Sequence, residues 1–284
     1  MGTYIRPTEL SDALAALSGE PVEILAGGTD IYPARVGKPF TDNVLDVSGL
    51  DDLRGIVDRD DHWLIGALTT WSELMDADLP PCFDGLKQAA REVGGIQIQN
   101  AGTICGNICN ASPAADGMPP LLTLDARVQL ASVSGARSLA LEDFVLGNRK
   151  TARRPDELLT NLIVPKPSLG AAGSFLKLGA RRYLVISIAM VAVLISPDSE
   201  GQVAEARVAV GSCSPVARRL PDLEAALAGQ PCDANLGKVA AAAHMAPLAP
   251  IDDVRGTGDY RRGAALTLVR RTLGGIGIDL KAQS

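Results

Sequence analysis

The sequence predicts an α+β protein built in two parts, about residues 1–170 and 171–284, and three observations carry that reading. A length of 284 residues favours two modest domains over one. A stretch rich in proline, serine and glycine, Pro165 to Gly173, interrupts the chain just after a strand-like pattern ends. Beyond it, three apolar strand patterns come first and helical patterns follow, the segregated order of an α+β domain.

The elements follow in chain order. Thr8 is placed to cap a helix running to about Leu17, with Leu10, Leu14 and Leu17 on one face. Val22 to Leu25 is a short apolar strand that breaks into Ala26-Gly27-Gly28-Thr29-Asp30. Asn43 to Val47, Leu53 to Asp58 and Trp63 to Ile65 read as further strands. Thr70 with Glu73 forms a capping box that opens the next short helix. A helix near Phe83 to Val93 stops at Gly94-Gly95, where paired glycines free the backbone. Ile96 to Pro120 then reads as a long loop, a length that a compact domain keeps only for function. Regular structure returns over Leu121 to Leu130, and Glu157 to Val164 reads as a strand closed by Pro165 and Pro167. In the second part, strands are expected at Ser174 to Leu178, Ile186 to Ile195 and Val203 to Val210. Helices are expected near Pro221 to Leu227, Leu236 to Ala246 and Asp259 to Leu273.

Composition narrows the function classes. A net charge of -6 argues against a nucleic-acid face, which needs clustered Lys and Arg. Two short basic clusters (Arg149, Lys150, Arg153 and Arg154, then Arg261, Arg262, Arg270 and Arg271) read as solvated surface or rim contacts to a partner. The start, MGTYIRPTELSD, lacks an apolar stretch of the secretory kind, and Arg6 stands where myristoylation requires Ser or Thr. The longest apolar run, Ile186 to Ile195, suits a buried strand and is too short to span a bilayer. Five cysteines without paired spacing predict no disulfide framework, and the compartment expected is the cytoplasm.

Two loops carry the chemistry. The first is Ala26 to Asp30 after a strand; the second is Thr103-Ile104-Cys105-Gly106-Asn107, continued by Ile108-Cys109-Asn110-Ala111-Ser112-Pro113-Ala114-Ala115-Asp116. Glycine lets a backbone approach a diphosphate closely and turns successive N–H groups toward one anion. Thr and Asn side chains add hydrogen bonds to phosphate or ribityl oxygens. One such loop reads more readily as a tight turn; two together point to a dinucleotide. Neither GxGxxG nor GxxxxGK[ST] occurs, so the site is neither of the Rossmann nor of the P-loop type.

AGGTD followed by Thr103 to Leu130, TICGNICNASPAADGMPPLLTLDARVQL, resembles the FAD-binding subunit of the molybdenum hydroxylases, the xanthine dehydrogenase and carbon monoxide dehydrogenase family. The resemblance continues through Phe175 to Arg182, Pro250 to Gly256 and Tyr260-Arg261-Arg262, so it covers nearly the whole chain. It implies a two-lobed FAD-binding domain of the vanillyl-alcohol-oxidase/PCMH-like kind, with the cofactor between its lobes. A smaller α+β C-terminal domain would cover the isoalloxazine end. Ala26, Gly27, Gly28, Thr29, Asp30 and the adjoining Ile31 match the first diphosphate loop. Thr103, Gly106, Asn107, Cys109, Asn110 and Asp116 match the second, which holds diphosphate, ribityl and adenosine oxygens. Leu159 matches a strand residue near the isoalloxazine ring, and Lys177 a lysine close to the flavin's reactive edge. Partners implied are a large subunit with a molybdenum cofactor and a small subunit with two [2Fe-2S] clusters, assembled as a dimer of heterotrimers. FAD would pass electrons on to NAD, oxygen or another acceptor, and no catalytic acid or base is implied in this chain.

Taken alone, Lys177 is equally a surface lysine at a strand end, Asp116 a turn or capping aspartate, and Leu159 a core residue. Cys105 stands where the family usually has a second glycine, and its side chain would crowd the diphosphate if that position needs a positive φ. Tyr183 replaces a small residue and reads as core packing in preference to a cover for the flavin. Cys105 and Cys109 lack further ligands near in sequence, so no metal site is expected, and Cys109 reads as a small apolar filler. Two other readings stand beside the main one. They are a self-sufficient flavin oxidase of the vanillyl-alcohol-oxidase type, and a structural subunit that lost FAD through Cys105.

Overall fold

Apolar side chains along the chain gather mainly into two large cores, and the sheets around them set the architecture. The computed structural model describes residues 2–37 and 41–282. Met1 of the start read above and Gln283-Ser284 of the second range lie outside the described residues.

The first lobe is a small parallel sheet of β1 (Tyr4–Ile5), β2 (Glu23–Leu25) and β3 (Val44–Asp46), in the order β1-β3-β2. Helix α1 (Leu10–Leu17) buries Ala13 and Leu17 against Leu45, Val47 and Leu50, with Leu10 and Leu14 on the same cluster. Thr8 does not cap it. Glu9 occupies the cap position, and its backbone carbonyl takes the Asp12 and Ala13 N–H groups, which leaves Thr8 one residue outside.

The second lobe begins with β4 (Ile56–Asp58) and β5 (His62–Gly66), followed by α2 (Trp71–Asp76) and α3 (Asp84–Glu92). The capping box forms as expected: Thr70 Oγ1 accepts from the Glu73 N–H at 3.2 Å and Glu73 Oε2 from the Thr70 N–H at 2.6 Å. The stretch 96–120 is not one loop. It folds as α4 (Ile96–Ala101), α5 (Ile104–Asn110) and the start of α6 (Met118–Thr123). Thr103 Oγ1 caps α5, Ala111 ends it at φ 47°, and Pro119-Pro120 sit in the first turn of α6, where missing N–H groups are tolerated. The turn-forming composition therefore marks helix ends in quick succession. After these come β6 (Arg127–Ser132), β7 (Gly135–Ala140), α7 (Leu141–Phe144), β8 (Val145–Gly147), β9 (Lys150–Thr151) and β10 (Leu158–Pro165). The lobe's antiparallel sheet has the order β4-β5-β10-β6-β7.

The remaining chain forms an antiparallel sheet of β11 (Ala172–Leu178), β12 (Ala189–Pro197), β13 (Val203–Gly211) and β14 (Arg218–Arg219), with α8 (Pro221–Leu227) and α9 (Gly258–Lys281) on one face. Val191, Val193 and Ile195 point into the core with Leu268, Val269 and Leu273 of α9. Met190 and Ala192 face the other way, onto Ala89 of α3 and Phe175. Burial on both faces explains why β12 is an unbroken apolar run. It starts three residues later than expected, because Ile186 to Ile188 leave the sheet. Leu236 to Ala246 is two 3₁₀ turns, Leu236–Val239 and Ala242–Met245, instead of one helix. Helix α9 continues past Leu273 through the glycines. A Cβ at Gly277 would meet the Asp233 backbone, so that glycine serves close packing and does not end the helix. Among the described residues, no helix is long and apolar enough to cross a membrane.

Candidate functional site

The two glycine-containing segments converge on one cleft of about 930 Å³ between the lobes. That is near the upper end of the ~300–1,000 Å³ typical of ligand sites. Leu25 ends β2 inside the core, and the chain then turns sharply. Gly28 holds φ 69°, a conformation glycine adopts without strain. A Cβ at Gly27 would collide with the Ala101 carbonyl and reach Gly102 Cα at 3.0 Å, so the first loop lies directly on the end of α4. Ala26, Gly27, Gly28, Thr29, Asp30 and Ile31 all line the cleft. Among the described residues, the N–H groups of Gly27, Gly28, Thr29 and Asp30 donate to no protein acceptor.

The second segment follows directly from the end of α4. The Trp71 N–H donates to the Gly102 carbonyl at 3.2 Å and the Ile104 N–H to the Thr69 carbonyl at 3.0 Å, which fixes the start of α5 against the α2 entry. Thr103 Oγ1 accepts from the Gly106 N–H at 3.0 Å; a Cβ at Gly106 would press on that oxygen at 2.6 Å. The Cys105 N–H has no protein acceptor among the described residues. Thr103, Gly106, Asn107, Cys109 and Asn110 line the cleft. Asn107 Oδ1 is buried against Gly117, out of the open cleft, without a hydrogen-bond partner among the described residues. Five amides without an acceptor among the described residues, all on residues lining one cavity, fit a diphosphate.

Arg149 joins the two segments. Its Nη1 donates to Asp30 Oδ2 at 2.5 Å and also to Asn110 Oδ1, while its backbone N–H donates to the Ala111 carbonyl at 3.0 Å. Sequence reasoning counted Arg149 as surface charge. Its φ of 57° at the β8–β9 turn, which aims it back at the cleft, is not legible in composition. Arg153, Trp71 and the segment Leu184 to Ile186 also line the cleft and were missed.

The other expected site residues divide. Leu159, 4% exposed, lines the cleft from β10. Asp116 and Lys177 do not: they stand behind the wall as a buried pair, Nζ to Oδ2 at 2.8 Å, with Ser187 Oγ donating to Asp116 Oδ1 at 2.7 Å. Burial pushes the Asp116 carboxyl above its ordinary range, against the pull of the Lys177 ammonium and the two hydrogen bonds. Tyr183 is 64% exposed and stacks under Arg182, so it is not core.

Cys105 sits inside α5 and is absent from the positive-φ positions, so the feared clash of a side chain in a glycine conformation does not arise. Burial drives its thiol well above the usual value. The Cys109 thiol opens onto the cleft, yet the walls around it desolvate it enough to raise its pKa to about 11. Among the described residues, no group of three or more His, Cys, Asp or Glu could hold a metal ion.

Known proteins resemble this chain along nearly its whole length. A family model for the FAD binding domain in molybdopterin dehydrogenase matches residues 1–167, and one for the CO dehydrogenase flavoprotein C-terminal domain matches residues 174–276. The nicotine 6-hydroxylase medium subunit of Paenarthrobacter nicotinovorans is 28% identical over 276 residues, 95% of each chain. The glyceraldehyde dehydrogenase medium chain of Sulfolobus acidocaldarius is 32% identical, over 95% of this chain and 96% of its own. Among solved structures, reconstituted CO dehydrogenase from Oligotropha carboxidovorans superposes with a TM-score of 0.88 at 29% identity, over 98% of both chains.

Proposed function

The chain belongs to the FAD-binding flavoprotein subunits of the molybdenum hydroxylases, and from that premise we propose that its interlobe cleft holds one FAD through the two segments that Arg149 ties together. As such a subunit it carries electrons inside a multisubunit oxidoreductase whose molybdenum and iron–sulfur centres lie in partner chains. FAD supplies the redox chemistry that these side chains lack.

The roles assigned to the residues follow from their donors. Gly27 to Asp30 and Cys105 present free amides to the diphosphate, and Thr29 and Thr103 shape the turns that carry them. Asn107, Cys109 and Asn110 line the cleft beside the second segment, where ribityl and adenosine oxygens would lie, and Leu159 gives an apolar surface for a ring. Asp116 and Lys177 contribute from behind the wall instead of by contact. The same reading divides the chain at Pro165 to Gly173 into an FAD-binding domain, 1–170, and a C-terminal domain, 171–284. The gap between the two family matches supports that division. It also takes the complex to be a cytoplasmic dimer of heterotrimers and its acceptor to be NAD, oxygen or another oxidant. Nothing in the cleft favours a self-sufficient oxidase, and the helical setting of Cys105 removes the motive for a subunit that lost FAD.

The observation that carries the proposal is that residues of both segments lining one cavity keep amides with no acceptor among the described residues. Gly27→Ala tests it, because the added methyl meets the Ala101 carbonyl and must push the first loop out of place. The purified variant should keep its circular dichroism and lose most of its flavin. Full flavin retention at wild-type stoichiometry would overturn the loop assignment.

A further inference from the structure

The segment between β11 and β12, residues 179–188, leaves the sheet, reaches the cleft and returns. Its apex gives Leu184, Val185 and Ile186 to the cleft wall. Burial does little to hold it there, since Leu184 and Ile186 remain 57% and 53% exposed. Leu184 also sits at φ 53°, a left-handed conformation that a bulky residue keeps only when its surroundings impose it. Arg181 shapes the apex from within, its Nε donating to the Tyr183 and Leu184 carbonyls at 3.0 and 3.1 Å. Outward, Arg182 reaches Glu92 only at 4.0 Å and is 76% exposed, a weak tie.

One carboxylate from the other half of the chain holds both feet of this segment. Asp116 Oδ2 accepts from Lys177 Nζ at 2.8 Å, and Asp116 Oδ1 accepts from Ser187 Oγ at 2.7 Å. Lys177 is the penultimate residue of β11, and Ser187 stands two residues before β12. Lys177 Nζ spends a second proton on the Glu92 carbonyl at 3.2 Å. Asp116 and Ser187 are 8% and 2% exposed, and Ala115, next to Asp116, is itself on the cleft wall. In so dry a place, removing one partner leaves a buried group unpaired, most severely when Asp116 itself is lost.

We propose that Asp116 is a positioning residue: it clamps both feet of the 179–188 segment so that Leu184 to Ile186 stay closed over the flavin. The inference rests on the flavin reading above, but the clamp itself is a property of the polypeptide. Asp116 is not among the residues lining the cleft, and its hold on the segment gives Lys177 a role that requires no contact with the ring.

Hydrogen exchange on the flavin-free full chain, with flavin release from the loaded complex, tests this for Asp116→Ala, Ser187→Ala and Asp116→Asn. Asp116→Ala should raise exchange within 179–188 by about tenfold or more, while β12 and β13 keep wild-type protection. Ser187→Ala should raise it less, and Asp116→Asn, which keeps one oxygen for Lys177 Nζ and can donate its amide N–H to Ser187 Oγ, should stay below Asp116→Ala. Flavin release should accelerate in the same rank order. If Asp116→Ala fails to fold, Ser187→Ala carries the test, because it deletes one hydroxyl and no charge. Unchanged exchange in 179–188, or a rise spread equally over β12 and β13, would overturn the clamp. Faster exchange with unchanged flavin release would overturn the closure over the flavin. A wild-type complex without flavin would refute the proposed function instead, and leave the exchange result standing.

Discussion

At the scale of single residues, the cleft depends on groups whose worth lies in placement more than in strength. The Arg149 side chain is 54% exposed and its partner Asp30 49%, so their ion pair adds little to folding stability. Its effect is to hold two loops in mutual register before a ligand arrives, which lowers the ordering needed on binding. Arg149→Ala should therefore leave thermal unfolding within about 1 kcal/mol of wild type and weaken flavin binding about threefold to tenfold. Titration of the flavin-stripped protein measures the second effect, and equal affinities would remove the role. Cys109 gives another residue-level test. With its thiol raised to about 11, it is almost wholly protonated at neutral pH although it faces the cleft. Iodoacetamide should modify it slowly in the flavin-free chain, with a rate rising about tenfold per pH unit toward that value. A rate that levels off below about pH 9 would contradict the assigned desolvation. The loop residues were legible because glycine and asparagine have few other reasons to cluster. Arg149 was not, since its part depends on a left-handed turn 119 residues from Asp30.

Among the elements, three strands of the second lobe's antiparallel sheet are tied together at one edge. Arg137 on β7 donates to both oxygens of Glu157, at 2.6 and 2.8 Å, and the Arg154 N–H donates to Oε2 at 2.7 Å. Glu157 immediately precedes β10, so this contact spans the intervening β6. The Arg137 hydrogen bonds hold its carboxyl below the usual value. A depressed folded value contributes stability above the unfolded pKa and loses it as pH falls through the folded one. Wild type should thus lose urea resistance below about pH 4.5 more steeply than Glu157→Gln, which starts lower by about 1–3 kcal/mol. Parallel pH dependences would show that Glu157 is not the group concerned. In this sheet β5 and β10 were legible because their apolar residues run or alternate, whereas β7, GARSLA and mostly exposed, gave no such pattern. The helices α4 to α6 were not, because each is six or seven residues long and begins or ends on the residues that usually spell a loop. Short helices draw their stability from packing, which local composition does not reveal.

For the whole molecule, the largest core ignores the linear division of the chain. Leu194 of β12 and Ala209 of β13 belong to the same apolar cluster as Met118, Leu121 and Leu122 of α6. Phe175 meanwhile packs on Ala89 of α3, and its N–H donates to Gln88 Oε1 at 2.7 Å. Shared cores of this kind couple unfolding, so calorimetry of the loaded chain should show one transition. Two resolved peaks would mean that the junction is too weak to couple the halves. The order of strands then helices foretold the class of the C-terminal part. It could not foretell that both faces of that sheet would be covered, one by α9 and one by the preceding lobe. The unpaired amides of the first loop have a last consequence, for the life of the polypeptide before it meets its cofactor. A newly made chain is least stable until it is loaded, since only the native form gains from saturation by ligand. Abundance of the subunit should then follow riboflavin supply in growing cells, starved cultures degrading it while its messenger RNA persists.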